Sequence, residues 1–498
     1  MTTPFNPEDD YPDPRGYQQR GVDSAGSEAQ SAAITDSGMN PHAQINEMLE
    51  QIREARLGLG DLELQDPPLQ FDVLPDPQPR DGQPDLGIRI LVVRGELLLR
   101  VPAPGTPGAP GEAAGPYGDA RTDEAPLPWE RAHSQLVERG YEHVGPEIPV
   151  AAPLRRYVSA KTPDELLADR EVIRTETRAE VDLNYVVTLG HLVKSDDYPR
   201  GTAGHRCYSP HWIRCHRVTR EITVAVIDTG ISADSRTDGW LTGIPETPAN
   251  IDPLDVFPVT VQNGQVVRGD GLLDLAAGHG SFVTGVVEQV APAATIRVYR
   301  AVDTQGAGSA YGVANAMVQA ARDGADILHL SLGLMTVDNE PPVAFITAVD
   351  TIRSERSGVV IVASAGNMGL DVKMYPAAMD GVIGVAALNP DVRNPSRAPW
   401  SNYGDWVDCC AVGVGITSTF VEGYEPHTEN GQVVTEYFGN NSWAYWSGTS
   451  FSAPQISGAV AQLCQLNDVD PPVALDQLLN GRITLPGCGY VVPILPGS

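Results

Sequence analysis

The stretch ITVAVIDTG at residues 222–230 is apolar almost without interruption and ends on an acid, a threonine and a glycine. A strand with one face in water alternates apolar and polar residues, whereas an unbroken apolar run belongs to a strand buried on both faces. Similar runs follow at TIRVYRAV (295–302), DILHLSLG (326–333), GVVIVASAGN (358–367) and GVIGVAAL (381–388). Between them lie segments such as SAYGVANAMVQAARDGA (309–325) with apolar residues at helical spacing. Buried strands alternating with helices predict an α/β domain built on a doubly wound, mostly parallel sheet, here spanning residues 221–492.

Working toward the amino terminus, the pattern changes. Residues 193–220 form a linker that gathers His205, Cys207, His211, Cys215 and His216. Residues 67–192 read as a small α+β domain. Within it GIRILVVRGELLLRV (87–101) predicts a hairpin turned at Arg94 and Gly95, and residues 102–128 form a loop rich in proline and glycine. WERAHSQLVERGY (129–141) and TPDELLADREVIR (162–174), the latter capped by Thr162, predict helices; IPVAAPLRRYVS (148–159) and EVDLNYVVTL (180–189) predict strands. Residues 41–58 carry the spacing of one amphipathic helix behind an Asn40 cap, either a docking handle or an ordinary packed helix. Residues 1–40, acidic and poor in large apolar groups, are expected to be a disordered tail.

The 498 residues carry a formal net charge of −30. Nucleic acid and anionic membranes call for a basic face, so neither is an expected partner. No secretory signal and no bilayer-length apolar run is evident, and six cysteines are too few for a disulfide scaffold. Cytoplasmic residence with reduced thiols is the expectation, and the adjacent Cys409 and Cys410 read as core residues.

Four side chains stand where chemistry is done. Asp228 ends an apolar strand, at the carboxyl edge where sites of open α/β sheets lie. His279 sits between glycines at the start of a helical stripe (Phe282, Val283, Val286, Val287, Val290). Asn367 follows another strand, and its amide can donate to a developing negative charge. Ser450 lies at a helix start, near unpaired backbone donors and the positive end of the dipole. Taken singly, each is equally a turn residue, a cap or a surface group. Their joint placement in the order Asp, His, Asn, Ser points to nucleophilic catalysis, in which an imidazole accepts a serine proton and a carboxylate steadies it.

The segments VAVIDTGI, GHGSFVTG, SLG (331–333), SAGN (364–367) and GTSFSAP resemble the subtilisin-like serine proteases, or subtilases. The resemblance implies a serine endopeptidase acting on polypeptides, with Ser450 as nucleophile, His279 as general base, Asp228 as orienting carboxylate and Asn367 at the oxyanion site. It further implies substrate-binding edges at Gly306, Gly308, Ser331, Leu332, Gly333, Ala365 and Gly366, where substrate backbone pairs as an added strand. Ser281-Phe282 and Val412 depart from the family's usual Thr-His and Pro. Residues 67–192 resemble a subtilase propeptide, which implies an intramolecular inhibitor or folding chaperone that the enzyme removes by cutting between Leu189 and Glu221; a permanent accessory domain is the other reading.

No cofactor is expected. Asp252, Asp255, Asp270 and Asp274 make calcium one reading of the segment between Asp228 and His279, but they lack a ligand-loop spacing, so a solvated insertion is favoured. Cys207, His211, Cys215 and His216 match no established zinc pattern and are not expected to hold one. The alternative to an enzyme is a non-catalytic peptide-binding or regulatory module, which gives no reason to keep Asp228 together with His279.

Overall fold

A computed structural model describes residues 69–75, 89–103, 126–145, 152–189, 199–202, 220–244, 247, 249–257, 259–262, 265–429 and 432–497. The expected tail (1–40) and amphipathic helix (41–58) lie outside these residues, as do most of the proline- and glycine-rich loop and most of the Cys/His linker.

The apolar runs become parallel neighbours. Thr223–Asp228 lies between Thr295–Arg300 and Ile327–Leu330, and Val360–Ser364, Ile383–Leu388, Cys409–Val412 and Gly489–Val491 continue the sheet in parallel. Thr484–Leu485 closes it as an antiparallel edge. Alternate side chains of one strand serve two cores: Val224 and Val226 pack with Phe282, Val286, Ile456 and Val460 on one face. Ala225 and Ile227 pack with Val313, Met317, Phe345 and Val349 on the other. The helices His279–Val290 and Thr449–Asn467 therefore cover one face, and Ala310–Arg322 and Val343–Glu355 the opposite one. This is the doubly wound arrangement that two-sided burial predicts. Cys409 and Cys410 are fully buried free thiols in its core.

The smaller domain corrects one expectation. GIRILVVRGELLLRV does not turn at Gly95; Arg89–Arg100 is one long strand. Its first half pairs with Phe71–Pro75, its second half with Leu154–Val158, and its pairing with Val181–Thr188 shifts register between Val92 and Leu97. Gly95, at φ 71°, absorbs that shift as a bulge, and a Cβ there would run into the Ser159 carbonyl oxygen. Positive φ in a strand serves a bulge as readily as a hairpin turn, and the burial of Val92, Leu97, Leu98 and Leu99 keeps the strand in the sheet. The helices Pro128–Glu138 and Pro163–Thr177 complete the domain, the second entered through a capping box in which Thr162 N–H donates to Glu165 at 2.8 Å.

Leu97, Tyr157, Val181 and Tyr185 of this domain share an apolar core with Val313, Met317 and Phe345 of the larger one. At its border Asp182, fully buried, accepts from Arg170 Nε at 2.7 Å and from the Val343 N–H at 3.1 Å. Arg170 also reaches Asp338. Asn184 accepts from the Tyr311 N–H at 3.1 Å and donates to Glu96 at 2.7 Å. One strand thus satisfies open donors at the starts of two helices of the larger domain. Burial pushes the Asp182 carboxyl above its ordinary value, and Arg170 pulls against that shift. Truncating Arg170 leaves Asp182 buried beside no cation, so Arg170→Met is expected to cost about 3–5 kcal/mol in chemical denaturation of the intact chain; an unchanged midpoint would show that the pair does not anchor the border.

Candidate active site

Asp228 ends its strand fully buried. Its Oδ1 accepts from the Thr229 N–H at 2.7 Å and lies 2.8 Å from His279 Nδ1. The carboxylate only accepts, so Nδ1 carries the proton and Nε2 keeps its lone pair. His279 opens its helix, and two aromatic rings enclose the imidazole: Trp446 edge-on at 5.7 Å and Phe451, the residue after Ser450, at 5.5 Å. The two loops approach so closely that a Cβ on Gly280 would strike the Gly230 carbonyl oxygen.

Asp252 braces the same pair of loops. Its Oδ2 accepts from Thr229 Oγ1 at 2.9 Å and from the Gly278 N–H at 3.0 Å, and Thr229 Oγ1 accepts from the Gly280 N–H at 3.0 Å. Burial pushes the Asp252 carboxyl up and these donors oppose the shift. This corrects the reading of a solvated insertion, since Asp252 and Asp274 are buried. Asp274 accepts from Val256 N–H at 2.8 Å, and Asp255 from Gly271 N–H at 2.9 Å. The acids are used to hold backbone turns, which their spacing does not reveal. Among the described residues no cluster of three or more His, Cys, Asp or Glu is placed to hold a metal.

Ser450 is the second residue of its helix. Its hydroxyl faces the Ser331 carbonyl at 3.5 Å and makes no hydrogen bond to His279 Nε2 in this structure. The Ser450 N–H has no partner among the described residues and lies in the first turn, where donors are free and the dipole is positive. Asn367 is fixed beside it. Both the N–H and the hydroxyl of Thr449 donate to Asn367 Oδ1 at 2.9 Å, which turns the Nδ2 amide the other way. Asn402 holds the Asn367 loop: it accepts from Met368 N–H at 2.9 Å and donates to Ala365 O at 3.0 Å. Gly366, at φ 96°, lets Asn402 come near, since a Cβ there would lie 2.7 Å from Asn402 Nδ2.

Of the expected substrate edges, the structure brings two onto one extended strand. Ala307–Ser309 pairs antiparallel with Val186–Thr188 of the smaller domain, setting Gly308 against Val187. Gly333 exchanges hydrogen bonds with Thr188, at 2.9 Å and 2.8 Å. Gly306, at φ 80°, lies under the Leu189 side chain. Leu332 points into the core. Ala365 and Gly366 make no hydrogen bond to that strand; their N–H groups donate to Val385 O and Thr449 Oγ1. Sequence reasoning missed the roles of Asp252, His329, Asn402 and Thr449, for the partners that define those roles are distant in the chain.

The subtilase family model matches residues 219–483. A thermophilic serine proteinase of Bacillus sp. (strain AK1) is 32% identical over 262 residues, 51% of this chain and 55% of that protein. A thermostable alkaline protease of Halalkalibacterium halodurans is 26% identical over 67% of this chain and 78% of its own length. Among solved structures, fervidolysin of Fervidobacterium pennivorans, a keratinolytic enzyme related to subtilisin, has the same fold at a TM-score of 0.53 and 20% identity, over 86% of this chain and 63% of that one. The chain thus spans little more than half the length of the first relative.

The close approach of Gly230 and Gly280 yields a test. Gly280→Ala is expected to lower thermal stability by about 1–3 kcal/mol, the cost of an overpacked contact. It should also erase the downfield proton resonance of the His279 Nδ1–H; a variant retaining both would mean that the loops part without disturbing the pair.

Proposed function

This chain belongs to the subtilase family, and from that premise we propose that it is a serine endopeptidase using Ser450, His279, Asp228 and Asn367. The observation that carries the reading is the buried Asp228–His279 hydrogen bond of 2.8 Å beside the start of the Ser450 helix. A binding module gains nothing from burying a carboxylate under an imidazole.

Rotation of the Ser450 side chain toward His279 starts the reaction, consistent with catalytic contacts that tighten only when substrate is bound. The Oγ attacks the peptide carbonyl carbon while its proton passes to His279 Nε2. Asp228 stabilises the resulting imidazolium. Asn367 Nδ2 and the Ser450 N–H donate to the oxyanion, His279 returns the proton to the departing amine, and water repeats the sequence on the acyl-enzyme. These groups and water suffice, so no cofactor is invoked.

The smaller domain serves as an intramolecular inhibitor. Its last strand enters between the edges at Ala307–Ser309 and Gly333 as a substrate would. Thr188 stands opposite Gly333. Self-processing is expected in the connecting segment between Leu189 and Glu221.

A fluorophosphonate probe should label the wild type and spare Ser450→Ala; no labelling even after removal of the smaller domain would refute the endopeptidase. Intact-mass measurement should find a fragment beginning between residues 190 and 221 in the wild type only, and identical uncut chains would remove the self-processing step. Asn367→Ala should lower kcat by on the order of 10²–10³, the scale already known for the side-chain oxyanion donor of subtilisin.

A further inference from the structure

The helix that carries Ser450 has a gap in its hydrogen-bond ladder at the nucleophile itself. Pro454 lies four residues on, inside the helix. Having no N–H, it cannot supply the donor that the Ser450 carbonyl would otherwise receive. The Ser331 hydroxyl fills the gap, donating to the Ser450 carbonyl at 2.8 Å.

A hydroxyl has one proton. With that proton directed at Ser450, Ser331 Oγ accepts from His329, whose Nε2 lies 2.8 Å away. The proton therefore sits on Nε2, and Nδ1 faces the Ser457 hydroxyl at 3.1 Å, nearer to that hydroxyl than the Ala453 carbonyl, which the hydroxyl also reaches at 3.5 Å. Ser457 belongs to the same helix as Ser450, so the chain of bonds leaves the helix at the nucleophile and returns to it two turns later. Ser331, His329 and Ser457 are all buried. Burial, with His279 nearby, holds the His329 pKa down at about 3, so the ring stays neutral.

We infer that His329 and Ser331 are positioning residues: through the Ser331 hydroxyl they supply the hydrogen bond that Pro454 withholds from the Ser450 carbonyl, and so set the placement of the nucleophile. The inference rests on the reading of Ser450 as nucleophile and adds side-chain roles to a segment expected to contribute only a backbone edge. A misplaced nucleophile lowers turnover more than binding, because the edge proposed to meet substrate at Ser331 is backbone, which a side-chain change leaves in place.

The test is a double-mutant cycle on the full chain, measuring kcat and KM with a peptide amide substrate for wild type, Ser331→Ala, Pro454→Ala and the double variant. Ser331→Ala alone is expected to lower kcat roughly tenfold with KM within about twofold. In the Pro454→Ala background, where position 454 regains an N–H, the same change should cost less than about twofold. Equal losses in both backgrounds would overturn the inference. His329→Gln, whose amide reaches the same hydroxyl, should retain activity within about threefold, while His329→Leu should lose as much as Ser331→Ala. A fully active His329→Leu would also overturn it. Wild type that labels with fluorophosphonate yet shows no coupling defeats this inference alone, whereas wild type that never labels defeats the endopeptidase reading with it.

Discussion

The buried hydrogen bond between Asp228 and His279 governs the architecture around it. Removing a carboxylate from water costs several kcal/mol even after relaxation, unless fixed donors replace the lost solvent. Thr229 N–H and His279 Nδ1–H converge on Oδ1, while Oδ2 has no partner among the described residues. A site so sparingly solvated has to be held from outside. Asp252 ties the two loops together, Gly230 and Gly280 let them meet, and Trp446 and Phe451 close over the ring.

The remaining groups obey a related rule, in which each functional atom is aimed by a partner that uses the atom beside it. Asn367 can offer its Nδ2 because Thr449 occupies its Oδ1. Ser450 keeps its place because Ser331 takes up its carbonyl, and Ser331 is directed in turn by His329. These are fully buried polar links, costly when broken and specific when complete. They join strand ends on the sheet to the start of one long helix, so the parallel sheet does more than bring the groups near one another: it fixes the partners that orient them.

The smaller domain reuses these principles at its border. Asp182 and Asn184 satisfy donors at the starts of two helices of the larger domain, and the strand that bears them runs on into the cleft. Helix starts, sheet edge and shared apolar core meet along one continuous segment. A domain held in this way presents its own backbone to the edges at Ala307–Ser309 and Gly333, using the main-chain pairing that any extended peptide would offer.

Much of this was legible in the sequence. Two-sided apolar runs specify buried parallel strands because side-chain alternation is a local property, and the motifs around Asp228, His279, Asn367 and Ser450 mark strand ends and helix starts by the same local chemistry. The hairpin expected at Gly95 failed because positive φ is compatible with either a turn or a bulge, and only the burial of both halves of the strand decides between them. The acids at 252 and 274 looked solvated because sequence reveals charge but not which backbone N–H groups will surround it. The side-chain roles of His329, Asn402 and Thr449 were hidden for the same reason: their partners lie 128, 37 and 82 residues away along the chain. The sequence by itself determined the layers of the fold and which side chains stand at their edges, since both follow from local periodicity. Only the tertiary structure decided how those side chains are aimed, because aim depends on hydrogen-bond partners that folding brings in from distant segments.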